Sequence, residues 1–449
     1  MTEQASLGDI SESKNQNSGT DEIKGNWETV KIGNNDYFER YSGDTPTKGN
    51  EEYWGGDIKW LSNSEVSDDQ VNLVSNTDLQ ITEEGLNNCT AKIIPENSVI
   101  LSCTASIGKV AINNDEMATN QQFNAFEIKK GFNPYFLANQ LFYRGGELQA
   151  MGGSTTHNHI AVYVLEKFDL NKPPIDEQRR IASVLYNVDQ AIQKTEEIIE
   201  QTQRVKKGLM QDLFTEGYYT HEEFEEDTFG EYPANWKKKK LSEILKKGPQ
   251  NGLYKSSDNY GSGEAIIELP DIYEADKILA HNNFRKLDVS DSELEKYGVE
   301  NGDIIVNRVS KQVSGVGKTL RVDFDGRAVF ESNMMRMRLD KDQVMTRFFL
   351  YATRSTRYRK YIAAVAKHSN QASIDQSSLE NFSIVIPSIE EQQEICRVLD
   401  SLDSKKKNLK EKKEQLQRLK KGLMQDLLTG SVRTGEDVRV LDEVVEVEG

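Results

Sequence analysis

The stretch Gln203 to Thr215 reads QRVKKGLMQDLFT, and Gln417 to Thr429 reads QRLKKGLMQDLLT. The offset of 214 residues also carries Ile175-Asp-Glu-Gln178 onto Ile389-Glu-Glu-Gln392 with no gap between the two blocks. A chain that repeats itself at half its length builds two similar halves, related by a pseudo-two-fold axis. Duplex DNA is the commonest target with that symmetry.

Upstream of each repeated ending the sequence reads as a long helix. From Ile181 the apolar positions Val184, Val188, Ala191, Ile198, Val205 and Leu209, with Thr195 and Thr202 between them, alternate in three- and four-residue steps, which is a heptad. The offset places Ile395, Val398, Leu402, Leu409, Leu416, Leu419 and Leu423 on the equivalent seam, interrupted by Lys405 and Lys412. So thin a stripe buries too little to stand alone, so the two helices should pair. A whole globular segment separates them, which permits an antiparallel coiled coil. Roughly 33 helical residues at about 1.5 Å each make a rod of about 50 Å, over one turn of B-DNA. The repeated KKGLMQDL (Lys206–Leu213 and Lys420–Leu427) fits two equal docking sites for two copies of one partner, and recent duplication would leave the same letters. A plain coiled-coil spacer needs only the pattern.

The other two segments, from about Gly25 to Asn171 and from Tyr232 to Ile386, are β-rich. Each starts at Asn-Trp (Asn26-Trp27, Asn235-Trp236) and contains runs such as Ser98-Val-Ile-Leu-Ser102 and Asp303-Ile-Ile-Val-Asn307 between Gly, Asn and Asp turns. Asn133-Pro134 predicts a helix N-cap with proline at the first helical position. Each segment closes on Leu and Phe spaced alike, Leu165/Phe168 and Leu379/Phe382.

The 449 residues suffice for two or three domains, and 36% hydrophobic with 29% charged residues predicts a soluble chain. No apolar run approaches a membrane span, and the start MTEQASLGDI lacks the features of a signal peptide, so cytoplasm is the expected location. Cys89, Cys103 and Cys396 show no metal or disulfide spacing. The net charge of −17 is concentrated: about −3 over residues 1–25, −7 between Thr215 and Tyr232, and −5 beyond Thr434. The remainder is close to neutral, so a nucleic acid would be held by local basic patches or a more basic partner. The acidic hinge and tail read as solvated linkers.

Several motifs resemble catalytic ones without meeting their requirements. Ser314-Gly-Val-Gly-Lys-Thr319 has Gln312 where a phosphate-binding loop needs glycine. It matches Ile107-Gly-Lys109 in the first half, and both continue as strand-like runs, so a β-turn glycine with an exposed lysine is expected. Asn133-Pro-Tyr-Phe136 lacks a preceding glycine-rich cofactor loop. His157-Asn-His159 lacks the spread of a metal-finger nuclease. Pro270-Asp271 with Glu274 and Lys277 has Ala275 where the nuclease pattern needs a carboxylate.

With Pro174-Ile-Asp-Glu-Gln178 and Pro387-Ser-Ile-Glu-Glu-Gln392 opening the helices, KKGLMQDL closing them, and Ser42-Gly-Asp-Thr-Pro46, Tyr53-Trp-Gly-Gly56 and Ile58-Lys-Trp60 in the first half, the chain resembles the specificity subunits of type I restriction-modification systems. The resemblance covers about Gly25 to Gly430. It implies an α+β protein with two similar mixed α/β target-recognition domains, at 25–171 and 232–386, separated by two helices at 172–216 and 387–430. An N-terminal tail (1–24), an acidic linker (217–231) and an acidic C-terminal tail (431–449) complete the expected domain plan. It further implies a chain with no catalytic activity and no cofactor of its own. Its partners would be double-stranded DNA, two modification (methyltransferase) subunits and restriction subunits, with no membrane. S-adenosylmethionine, ATP and Mg²⁺ would bind those partners. One departure is visible: the second half has Gly248-Pro-Gln-Asn-Gly-Leu-Tyr254 near the place of the SGxTP loop, so that loop's role does not carry over.

Base readout wants Arg, Lys, Asn, Gln, Ser and Thr on loops, flanked by phosphate contacts. Candidates in the first half are Thr45, Thr47, Lys48, Ser106, Lys109 and the run Ser154, Thr155, Thr156, His157, Asn158. In the second half they are Tyr254, Lys255, Asn307, Arg308, Lys311, Lys318 and the run His368, Ser369, Asn370, Gln371. For partner docking the candidates are Lys206, Lys207, Met210 and Gln211 with Lys420, Lys421, Met424 and Gln425. The rivals are a stand-alone site-specific methyltransferase or nuclease, for which no cofactor loop is found, and a non-DNA coiled-coil scaffold.

Overall fold

Short β-branched runs buried on both faces form the centre of each half. The computed structural model describes residues 27–152, 159–274, 278–279, 284–368 and 371–441. They divide into two units, one running to Glu196 and resuming at Glu411, the other Glu197–Lys410. The expected N-terminal tail lies outside the described residues.

In the first unit five strands, β1 (Phe38–Ser42), β2 (Val71–Val74), β3 (Val99–Ser102), β4 (Val110–Asn113) and β5 (Phe123–Ile128), form one sheet in the order β1-β5-β3-β4-β2. Only β2 and β4 pair in parallel. The two-residue period of β3 sends Val99 and Leu101 into one apolar cluster and Ile100 into another, with Leu61, Ala111 and Phe123. Burying each such side chain stabilises by roughly 1.5–3 kcal/mol. Helix α1 (Pro134–Tyr143) starts as expected, the Asn133 side chain accepting from the Phe136 amide at 3.0 Å. Glu28–Lys31 pairs antiparallel with Asp169–Lys172 and brings the start of the domain to helix α2 (Ile175–Thr215).

The second unit repeats this plan. Strands β6 (Leu245–Asn251), β7 (Ile278–Leu279), β8 (Ile304–Asn307), β9 (Thr319–Val322) and β10 (Met334–Leu339) run in the order β6-β10-β8-β9-β7, the same as in the first sheet. Ile304 and Val306 face one cluster and Ile305 the other. Helices α3 (Thr346–Ala352) and α4 (Thr356–Val365) follow, Lys237–Lys240 pairs with Ser383–Ile386, and helix α5 (Ile389–Leu428) begins. The run that imitates a phosphate-binding loop is a single 3-10 turn (Val313–Gly315) leading into β9, with no helix after it.

Within each unit a part of α2 packs antiparallel on a part of α5. In the first unit Lys420 meets Asp189 at 2.7 Å and Lys413 meets Glu196 at 2.6 Å, so one helix descends as the other climbs. In the second, Lys206 pairs with Asp403, and Leu209 and Leu213 share a cluster with Ile395 and Leu399. The seam differs from the expected one by one residue at every other position. Leu185, Ile192, Ile199 and Leu213 are buried on it, whereas Ile198 and Val205 are exposed. On α5 Leu399 replaces Val398, Leu419 is exposed, and the buried seam lysine is Lys420. Two registers share Val188, Thr195, Thr202 and Leu209, and the adjacent Ile198 and Ile199 leave the period undecided between them. Opposite charges, rather than apolar residues alone, fill the gaps.

The acidic hinge, expected to be a solvated linker, is folded. Phe224–Asp227 and Gly230–Pro233 form a hairpin, Tyr232 is buried, and Asp227 pairs with Arg357 and, at 2.7 Å, with Lys238. Burial pushes the Asp227 carboxyl up, but hydrogen bonds from Lys238 and Arg357 outweigh it and hold the group at about 2. Among the described residues no helix is long and apolar enough to cross a membrane.

Candidate nucleic-acid interface and helix anchors

In the first unit three loops meet at one end of the five-stranded sheet. After β1 the chain presses Gly43 against the turn that precedes β5; a Cβ there would lie 2.0 Å from the Asn120 carbonyl oxygen, so only glycine fits. The next residue is fixed by its own carboxylate. Asp44 accepts from the Thr90 amide at 2.8 Å, from Thr90 Oγ1 at 2.7 Å and from the Thr45 amide at 2.8 Å, and these bonds, the Thr90 amide first, hold it below the usual carboxylate range. Trp60 Nε1 donates to the Asp44 carbonyl at 3.0 Å. The loop tip, Thr47 and Lys48, is exposed, and Thr45 bonds Gln121 of the turn before β5. From the other side, the chain after β3 joins the same turn: the Cys103 amide donates to the Gln122 carbonyl at 2.8 Å. Thr104 Oγ1 lies 2.9 Å from His159 Nδ1, and Ser106 is half-buried beside Ala105, whose φ of 64° is left-handed. Ser154, Thr155, Thr156, His157 and Asn158, on the chain leading to His159, lie outside the described residues. Lys109 stands apart: its ammonium donates to the carbonyls of Asn63 (3.1 Å) and Val66 (2.6 Å), which ties two loops together.

The second unit holds the same arrangement with other letters. Gly252 occupies the Gly43 position, its Cβ site 2.2 Å from the Glu331 carbonyl oxygen, so the loop whose counterpart the sequence left in doubt is present. Tyr254 follows, 82% exposed. Lys255 is turned back, donating to the Asp288 carbonyl at 2.6 Å and to Glu293 at 2.8 Å, and it draws the Glu293 carboxyl down to about 2. Arg308 fastens β8 to the turn before β10 through its amide on Asn333 O (2.9 Å) and its guanidinium on Ser332 O (3.2 Å). Asn307 is fully buried and donates to the Gly315 carbonyl at 2.7 Å; it shapes this loop from within and has no surface to offer a base. Lys318, like Lys109, donates to a carbonyl, that of Ile272 at 2.6 Å. A cleft of about 580 Å³ collects Tyr273, Lys311, Gln312, Ser314, Asn333 and Gln371. The side chain of His368, and Ser369 and Asn370, lie outside the described residues. Sequence reasoning missed Gln121, Gln122, Gln312 and Asn333. The signal available was Asn120-Gln-Gln122 between two strands, with Glu331-Ser-Asn333 at the equivalent place.

The repeated Glu-Gln at each helix start anchors the domain that precedes it. Glu177 accepts from Trp27 Nε1 and Glu391 from Trp236 Nε1, both at 3.1 Å. Gln178 accepts from the Asn133 amide (2.9 Å) and donates to Gly131 and Pro173 carbonyls; Gln392 does the same with the Met345 amide (2.8 Å), Gln343 and Pro387. Each carboxylate has a further partner from the segment following a helix end. Glu177 takes Arg433, and Glu391 takes His221 Nε2 and the Tyr218 amide, both at 2.9 Å.

The docking candidates separate into two groups. Lys206 and Lys420 turn into the helix pairs, where each meets an aspartate that also binds a tyrosine of the recognition domain: Tyr351 with Asp403 at 2.7 Å, Tyr135 with Asp189 at 2.5 Å. Burial and the aspartate raise the Tyr135 hydroxyl well above its ordinary pKa. Lys420 and Met424 are buried, which removes them from any docking surface. Lys207, Gln211, Lys421 and Gln425 are exposed, and Met210 is half-buried.

The family model "Type I restriction modification DNA specificity domain" matches twice, at residues 24–204 and 233–418. The type I restriction enzyme MjaVIII specificity subunit of Methanocaldococcus jannaschii is 26% identical over 91% of this chain and 93% of its own length. The StySPI specificity subunit of Salmonella potsdam is 26% identical over 73% of this chain and 72% of its own. Among solved structures, a chain from a study of assembly and conformational transition of the type I R-M system superposes with a TM-score of 0.59 at 16% identity, covering 90% of this chain and 98% of that one. The type I S subunit from M. genitalium gives 0.51 at 14% identity, covering 90% and 96%. With two matches that together span well over half its length, the chain belongs to the type I restriction-modification DNA specificity family.

Proposed function

We propose that this chain is the non-catalytic DNA-reading subunit of a type I restriction-modification complex, each sheet domain recognising one half of a bipartite site. The observation that carries this reading is the recurrence of one strand order with one cluster of polar loops at the same sheet end. Thr45, Thr47, Lys48, Ser106, Gln121 and Gln122 would face the first half-site, with Ser154, Thr155, Thr156, His157 and Asn158. Tyr254, Lys311, Gln312, Ser314, Asn333 and Gln371 would face the second, with His368, Ser369 and Asn370. Gln and Asn side chains offer the donor-acceptor pair that adenine presents in the major groove. Arg308, Lys255, Lys109 and Lys318 support these loops through the bonds described above.

The two helices would form the antiparallel coiled coil that fixes the number of unread base pairs, and would dock a modification subunit at each repeated ending through Lys207 and Gln211, and Lys421 and Gln425. Mapping methylated bases in DNA from cells carrying the whole system tests the reading. Replacing Gln121 and Gln122 by Ala should relax one half of the methylated motif and leave the other unchanged. Relaxation of both halves, or of neither, would overturn it. Inserting four residues into α2 should change the spacer alone.

A further inference from the structure

Each unit has a cleft beside its repeated lysines, and the two clefts differ in charge. In the second unit about 600 Å³ lies between α2, α4 and α5, with Met210, Ala363 and Leu402 as apolar lining. Its lining cations are Lys206, Lys207, Arg354, Arg359, Lys360 and Lys406, and no carboxylate stands among the described lining residues. Asp403 meets Lys206, and the guanidinium of Arg359 donates to the carbonyls of Val316 and Val313, which satisfies hydrogen bonds without cancelling charge. In the first unit the equivalent cleft, about 360 Å³, balances Lys413, Lys420 and Lys421 with Asp69, Asp189 and Glu196. Lys207 and Lys421 are the same position of the repeat, yet they stand in a strongly positive and a neutral setting.

We propose that the positive cleft of the second unit takes an acidic, amphipathic segment of a modification subunit, and that its neutral counterpart does not, so the two modification subunits are held unequally. This rests on the docking reading above and adds an order of binding to it. An apolar floor edged by cations suits a helix with carboxylates beside apolar residues; a DNA backbone would use the cations and leave the floor uncovered. Charge complementarity of this kind acts on encounter and partner choice and weakens with salt.

The test counts modification subunits per chain in the reconstituted complex by native mass spectrometry. Between about 0.1 and 1 M salt the screening length falls from about 10 to about 3 Å. One copy should leave within that range while the other stays. Lys207→Glu with Lys360→Glu should release that same copy already at the lower salt, weakening it at least tenfold, with Lys207→Gln and Lys360→Gln intermediate. Both residues are exposed, so neither change disturbs packing. Lys421→Glu should leave the salt-sensitive copy in place. Loss of both copies at one salt concentration, or equal damage from Lys421→Glu, overturns the proposal while the docking reading survives. Retention of both copies in the Glu variants with weaker DNA binding would make the cleft a phosphate site, and also overturns it. A parent chain that captures no copy at any salt defeats the docking reading itself, and the proposal with it.

Discussion

Single residues control how the loops are presented. Gly43→Ala would drive a methyl group into a backbone carbonyl 2.0 Å away, whereas Gly49→Ala, six residues on, meets nothing within 4 Å. The first should cost about 1–3 kcal/mol in local strain and abolish reading of one half-site, and the second should leave binding intact; a filter-binding comparison checks both. Asp227 offers a pH test with a defined sign. Its folded carboxyl titrates near 2, below the unfolded value of about 4, so its contribution is complete above pH 4 and is lost as pH falls towards 2. That shift corresponds to about 2 kcal/mol. Asp227→Asn should therefore speed hydrogen exchange of the 224–233 hairpin roughly 30-fold at pH 7, and the difference from the parent should vanish near pH 2.

At the scale of elements, the adjacent isoleucines of α2 decide the register. Ile199 is buried and Ile198 is 36% exposed. Ile199→Ala should destabilise the second unit by about 2–4 kcal/mol and Ile198→Ala by well under 1, as read from denaturant midpoints. The helices themselves, the Asn133 cap, the strands around Val99 and Ile304 and the closing Leu-Phe pairs were legible, because each rests on local periodicity or a short-range bond. The exact seam was not, since Ile198 and Ile199 satisfy two registers equally until the opposing lysines and aspartates are placed. The folded hinge was hidden for another reason. Seven acids with no base describe a solvated strand until Arg357, 130 positions away, is brought against Asp227. The loop ends were half legible. Thr45 and Lys311 stood out by type, but Gln121 and Asn333 gain their place only from pairing between strands far apart in sequence, and Asn307 reads like a base contact until its burial is known.

At the scale of the whole molecule, the two halves use the same anchors with different fittings. An indole on a buried carboxylate, a glutamine on the amide that opens a helix, and a tyrosine-aspartate-lysine chain recur in both, so Glu177→Ala and Glu391→Ala should each cost about 1–3 kcal/mol in their own unit, seen as separate shifts in calorimetry. What surrounds those anchors is free to differ, which is how one scaffold can carry two unlike sets of loops. The contact between Arg433 and Glu177 has a practical consequence. A stop codon just after Thr429, or a cleavable tag fused there, would spare every strand of the first sheet, yet strip the outer support from the carboxylate on which Trp27 rests. Proteolytic nicking near residue 27 in such a trimmed protein would trace damage at one extremity to an amino acid missing from the other.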